Sequence, residues 1–229
     1  MGRQVKTMAV IDIRGDIVSN DDKWIYDWLD WEATSPKQIR EALDGLEKGD
    51  TLTVLINSGG GSVMAGQEIY SMLHGRGDVE IKIESMAGSA ASVIAMANHS
   101  AISPVAMIMI HNVAMSGASG DYHDMQKNAE ILKQMNSALA SSYVEKTGKS
   151  EEEILKLMDR ETWLTANQAL EIGFVDEIIH DERIMMTNQV LGMRLTDEIR
   201  QKVIAEKGAQ ESIEIEKKNL LSDLDLYGV

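Results

Sequence analysis

One unit recurs along this chain and limits what it can fold into: a short apolar run, a cluster of glycine or other small residues, and then a helical pattern. Leu52-Thr-Val-Leu-Ile56 is a nearly continuous apolar run; Asn57-Ser-Gly-Gly-Gly-Ser62 follows, and Val63 to Tyr70 has helical character. Val79, Ile81 and Ile83 alternate with polar residues; a small-residue stretch follows, and Val93-Ile-Ala-Met-Ala97 again suits a helix. A third apolar run, Ala106 to Ile110, ends in His111-Asn112. Nearly unbroken apolar strands belong in a sheet covered on both faces. Their alternation with helices predicts an α/β fold with largely parallel pairing. In such sheets the residues at the carboxyl ends of the strands converge on one crevice.

Two of these strand ends carry chemistry. A strand that turns sharply into a helix presents its turn residue beside unpaired backbone N–H groups, as a nucleophile and its oxyanion require. In the stretch Ser85 to Ala97 the expected nucleophile is Ser92, at the start of the helical pattern. Of the five histidines (His74, His99, His111, His123 and His180), His111 alone ends a buried strand at the same sheet edge, so it is the expected base. Asp159, Glu161 and Asp176 could each orient its imidazole, and sequence order does not choose among them. The glycine cluster at 59–61 lacks the Lys-Ser/Thr of a nucleotide-binding loop and the spacing of a dinucleotide site. It suits a backbone that passes close to a substrate.

The remaining segments read as supports. Val5 to Ile13 is a strand ending at Arg14-Gly15-Asp16, and Trp24, Trp28 and Trp31 fall on one face of a short helix. Capping boxes at Ser35, Ser150 and Thr165 open three helices, and a long amphipathic helix runs from about Asp121 to Lys146. Phe174 to Ile179 is a last strand. Residues 1–180 are the expected catalytic domain, and 181–229 a helical or partly disordered tail. The net charge is −15, which opposes binding to nucleic acid or an anionic membrane. The absence of cysteine removes disulfides, thiolate metal sites and a Cys nucleophile. With no signal-like N-terminus and no apolar window of membrane length, the expectation is a soluble cytoplasmic protein without metal or cofactor.

Several motifs resemble those of the Clp-type serine peptidases (ClpP). Asn57-Ser-Gly-Gly-Gly-Ser-Val-Met-Ala-Gly66 is similar to the family's Asn-Ser-Pro-Gly-Gly…Ala-Gly segment. Gly88-Ser-Ala-Ala-Ser92 resembles Gly-x-Ala-Ala-Ser, and Met109-Ile-His111 resembles Met-Ile-His. Leu164-Thr-Ala to Gly173-Phe-Val-Asp176 is similar to the end of the family's catalytic domain. The wording Ala-Ala-Ser-Val-Ile-Ala-Met-Ala and Glu-Thr-Trp-Leu-Thr-Ala looks most like the phage and prophage head-maturation branch.

That resemblance implies the crotonase-like ClpP fold, with the 121–146 helix as a handle joining stacked rings of a homo-oligomer. It implies Ser92 as nucleophile, His111 as base, Glu161 as acid with Asp159 as rival, and the Gly60 and Val93 N–H groups as oxyanion hole. Gly59, Gly61, Ser62, Asn112 and Val113 would line an extended protein or peptide substrate. The expected activity is ATP-independent serine endopeptidase cleavage of scaffold or capsid proteins. Rival expectations are a crotonase-type acyl-CoA enzyme, a subunit serving an AAA+ unfoldase, and a non-catalytic assembly subunit. Gly59 in place of the family's proline, and a Ser-to-His spacing of 111 − 92 = 19 positions, depart from the pattern.

Overall fold

The computed structural model describes residues 8–179 and 200–208. The chain divides into two compact units, Met1–Gly192 and Met193–Val229. In the second, residues 200–208 are helical; the rest of the expected 181–229 tail lies outside the described residues.

The first unit is a mixed α/β fold. Its elements are β1 (Met8–Ile17), α1 (Lys23–Trp28), β2 (Ala33–Thr34), α2 (Pro36–Asp44), β3 (Thr51–Gly61), α3 (Val63–Leu73), β4 (Val79–Gly88) and α4 (Ala90–Ala95). Then come β5 (Ser100–Ile102), β6 (Met107–Ile110), α5 (Tyr122–Thr147), α6 (Glu151–Asp159), β7 (Thr162–Thr165), α7 (Ala166–Ile172) and β8 (Glu177–Ile178). Strand order is β2-β1-β3-β4-β5-β8, all parallel; β6 pairs parallel with β4 and antiparallel with β7. β4 therefore has two partners on one side: Ile81–Ile83 pair with β5, and Met86–Gly88 pair with β6. This fork moves the end of β4 out of the main sheet and toward β6.

Period-2 alternation puts Ile13, Leu52, Val54, Ile56, Ile81 and Ile83 in the core, each no more than 1% exposed. Ile39 of α2, Ile69 and Leu73 of α3, and Ile94 of α4 pack against this face. Burying a side chain of this size stabilises the fold by roughly 1.5–3 kcal/mol, and this layer is what fixes the strand ends.

The local start and stop signals act as read. The Ser150 and Thr165 hydroxyls accept from the Glu153 and Gln168 N–H groups, their own N–H groups donate back to the Glu153 and Gln168 side chains, and Gly148 and Gly173 end α5 and α7 in the left-handed region. Four expectations change. β1 runs through Arg14-Gly15-Asp16 to Ile17 instead of turning there. β3 continues through the glycines to Gly61 instead of ending at Ile56, because β1 pairs with it as far as Ile17↔Gly61. α1 stops at Trp28, so Trp31 lies beyond the helix and meets Tyr26 edge-on at 6.1 Å. Most consequentially, α4 begins at Ala90, ahead of Ser92.

Candidate active site

The site is built where β4 turns into α4. Gly88 still pairs with Met109 of β6, and the next residue, Ser89, turns the chain with φ 52° and ψ −122°. A non-glycine residue in such a region costs on the order of 1–3 kcal/mol and persists only where its surroundings enforce it. Here they do. The Ser89 N–H donates to the Met109 carbonyl at 2.8 Å. The Ser89 carbonyl accepts from the Ser92 N–H at 2.9 Å, the Val93 N–H at 3.4 Å and the Ser92 hydroxyl at 2.6 Å. The ladder that fixes Met109 also fixes His111 two residues on, and His111 Nε2 lies 2.8 Å from Ser89 Oγ. Both residues are partly exposed. A hydroxyl on a strained turn, bonded to an imidazole and adjoining the first N–H of a helix, has the parts needed for attack on a carbonyl.

The expected partnership of Ser92 with His111 is therefore corrected. Ser92 is fully buried as the third residue of α4, and its Oγ bonds the Ser89 carbonyl at 2.6 Å and the Tyr143 hydroxyl at 2.8 Å. The physical reason is the earlier helix start: Ser89 precedes α4 with non-helical φ and ψ, which take its side chain off the helical spacing, while Ser92 lies inside α4 and is buried. The oxyanion expectations fall with it. The Val93 N–H is spent on the Ser89 carbonyl, and the Gly60 N–H donates to Ser58 Oγ at 3.1 Å. Ala90 opens α4, so its N–H has no acceptor within the helix.

Both candidate acids lie near the imidazole's end of β6. β6 and β7 pair antiparallel through Ile110↔Thr162, and one more step of that register sets Glu161 across from His111. Glu161 has a positive φ of 50° and its Oε1 accepts from the Trp163 indole N–H at 3.1 Å. Asp159 instead accepts from the Asn112 side chain at 2.8 Å. Asp176 belongs elsewhere: it accepts from the Ser100 N–H at 2.7 Å and pairs with Lys146. Burial pushes its carboxyl up, but the Lys146 and Ser100 hydrogen bonds, with the charges of Lys146 and His99, outweigh this and hold it below the usual range.

The expected substrate-lining residues divide. β3 loses its β4 neighbour after Ser58↔Ala87 while keeping β1 to Gly61, so Gly59 and Gly61 lie on a strand edge beside the turn. Ser62 caps α3, accepting from the Ala65 N–H. The Val113 N–H is taken by Asn136 Oδ1 of α5 at 2.7 Å and is not free to pair with a substrate strand. Asn112 is occupied with Asp159, as above. Among the described residues no group of acidic or histidine side chains could hold a metal ion, and no helix is long and apolar enough to cross a membrane.

Sequence reasoning missed Ser89, Trp163, Tyr143 and Asn136. For Ser89 a signal existed: Gly88-Ser89 directly follows the β4 run, whereas Ser92 follows two alanines that already favour helix.

A family model described as Clp protease matches residues 32–182. The ATP-dependent Clp protease proteolytic subunit 1 of Corynebacterium glutamicum is 35% identical over 140 residues, covering 59% of this chain and 67% of that protein. The ATP-dependent Clp protease proteolytic subunit of Bacteroides fragilis is 34% identical over 142 residues, covering 60% and 68%. Among solved structures, a ClpP1 mutant from Listeria monocytogenes superposes with a TM-score of 0.61 at 26% identity, over 76% of this chain and 92% of that one.

Proposed function

The chain belongs to the Clp protease family and is a serine-type peptidase, and on that premise we propose that Ser89 is its nucleophile and His111 its general base. The observation that carries this is the 2.8 Å contact between Ser89 Oγ and His111 Nε2 at a strained strand-to-helix turn. Ser89 Oγ gives its proton to His111 Nε2 and attacks a peptide carbonyl. The oxyanion of the tetrahedral adduct takes a hydrogen bond from the Ala90 N–H. His111 then protonates the departing amine, takes a proton from water as the water oxygen attacks the acyl ester, and returns that proton to Ser89 Oγ as the acid product leaves. Glu161, in register with the imidazole, orients it. The open edge of β3 at Gly59–Gly61 supports binding of an extended substrate as an added strand.

No step of this chemistry uses a nucleotide, so peptide cleavage is ATP-independent. Although the relatives above are called ATP-dependent, the glycine segment here has no Lys-Ser/Thr for phosphate. Any need for ATP therefore belongs to a separate AAA+ unfoldase acting on folded substrates. The working form is a homo-oligomer of stacked rings joined through α5, whose outer face carries exposed Tyr122, Met125 and Ile131. The Glu161-Thr-Trp-Leu-Thr-Ala wording supports scaffold or capsid proteins as substrates, cleaved in the cytoplasm during phage head maturation.

The test is covalent labelling with a fluorophosphonate, mapped by tandem mass spectrometry, alongside hydrolysis of a fluorogenic peptide. The adduct is expected on Ser89, and Ser89→Ala should lower hydrolysis by on the order of 10³–10⁶. An adduct on Ser92, or an active Ser89→Ala protein, overturns the assignment. No labelling at all returns the non-catalytic assembly subunit.

A further inference from the structure

Below the turn lies a buried chain of hydroxyls that the reaction itself does not use. Tyr143, on α5, is 2% exposed, and Ser92 is fully buried. The Ser92 hydroxyl has one hydrogen and spends it on the Ser89 carbonyl at 2.6 Å. The 2.8 Å contact between Ser92 and Tyr143 must then run from the Tyr143 O–H to Ser92 Oγ. Burial raises the phenol's pKa, so it remains a neutral donor at working pH.

What this chain holds is a particular peptide plane. The Ser89 C=O and the Ala90 N–H belong to the same trans peptide and point in opposite directions. No cis peptide occurs among the described residues. Three donors draw the carbonyl inward: two backbone N–H groups and the Ser92 hydroxyl. Fixing the carbonyl direction therefore also fixes the Ala90 N–H, which points the opposite way.

We propose that Ser92 and Tyr143 are positioning residues that aim the Ala90 N–H by anchoring the Ser89–Ala90 peptide from below. This rests on Ser89 being the nucleophile. Tyr143 also ties the turn to α5, the element proposed to join rings. Tyr143 sits in the C-terminal part of α5, where Leu139, Ala140 and Ser142 are buried as well.

The test uses the assembled full-length protein and a fluorogenic peptide, with Ser92→Ala and Tyr143→Phe alone and combined. An oxyanion donor removed outright costs about 10²–10³ in kcat, and a donor turned off axis costs less. Each variant is expected to lower kcat by roughly 10–100-fold with KM within about twofold. The double variant should be no worse than Ser92→Ala, since the phenol acts only through Ser92. Affinity for a peptide boronate, which forms a tetrahedral adduct on the serine, should fall in parallel with kcat, while affinity for the product peptide stays constant. Tyr143→Phe removes one oxygen and keeps the ring, so it decides the matter if Ser92→Ala fails to assemble. Unchanged kcat in either variant, a change confined to KM, or fully additive losses overturns the inference. Loss of the Ser89→Ala dependence would instead overturn the assignment of the nucleophile, so the two failures are distinguishable.

Discussion

Gly60 leaves no room for a side chain. A Cβ built there would lie 2.6 Å from the Ser89 Cβ and 2.7 Å from the Gly88 carbonyl, on a backbone with φ 104°. Gly60→Ala must therefore push the glycine strand away from the turn that carries Ser89, the proposed nucleophile. Displacements near 1 Å can cost about 10²-fold in rate, so the expected outcome is an approximately 100-fold fall in kcat/KM, measured on a peptide substrate. A lowered melting temperature should accompany it. The acid separates on the same scale. If Glu161 orients the imidazole, Glu161→Gln should reduce kcat by on the order of 10²–10⁴ and distort the pH–rate profile. Asp159→Asn, which only alters a contact with Asn112, should cost less than about tenfold. The reverse ranking would transfer the role to Asp159.

At the scale of the element, the sequence was legible wherever a structure is specified by near neighbours. The capping boxes at Ser150 and Thr165 and the glycine stops at 148 and 173 depend on side chains three or four positions away. So α5, α6 and α7 lie close to where their patterns put them. The strands β5 and β7 went unread because Ser100–Ile102 and Thr162–Thr165 are too short to show a period. Their pairing is decided by partners many residues away. The start of α4 had one local signal, Gly88-Ser89 directly after the β4 run, but its position is decided at long range. Nothing near Ser89 states that Gly88 still pairs with Met109, and it is this pairing that sets the turn at 89. The place of His111 just past the end of β6 was readable from that strand alone; its bond to Ser89 depends on the ladder.

Asp176 tests the tertiary part of this division, since it joins the end of α5 to β5 through Lys146 and Ser100. Its carboxyl titrates lower in the fold than in an unfolded chain. The stabilisation is thus fully present above about pH 4, the ordinary carboxylate range, and fades as pH falls through the lower folded value. Asp176→Asn should lower the melting temperature at pH 7, and the difference from wild type should shrink steadily below pH 4. A constant gap across that range would exclude linkage through this carboxyl.

In the molecule as a whole α5 is long, and among the described residues little covers its N-terminal half. Tyr122 is 67% exposed, and Met125 and Ile131 are also exposed. Large exposed apolar side chains grouped on one element mark a contact surface. Met125→Glu or Ile131→Glu should therefore shift sedimentation velocity toward smaller species, with helical content retained. Unaltered sedimentation in both variants would remove α5 from the assembly.

The contact between Ser89 and His111 has a practical corollary, because the sequence contains no cysteine. Ser89→Cys would create the molecule's sole thiol, seated against an imidazole that can draw off its proton. Iodoacetamide should then alkylate one sulfur per chain, faster than it alkylates free cysteine, and His111→Ala should remove that advantage. The chain thus offers a chromophore or spin label a single address, inside the groove where substrate would lie.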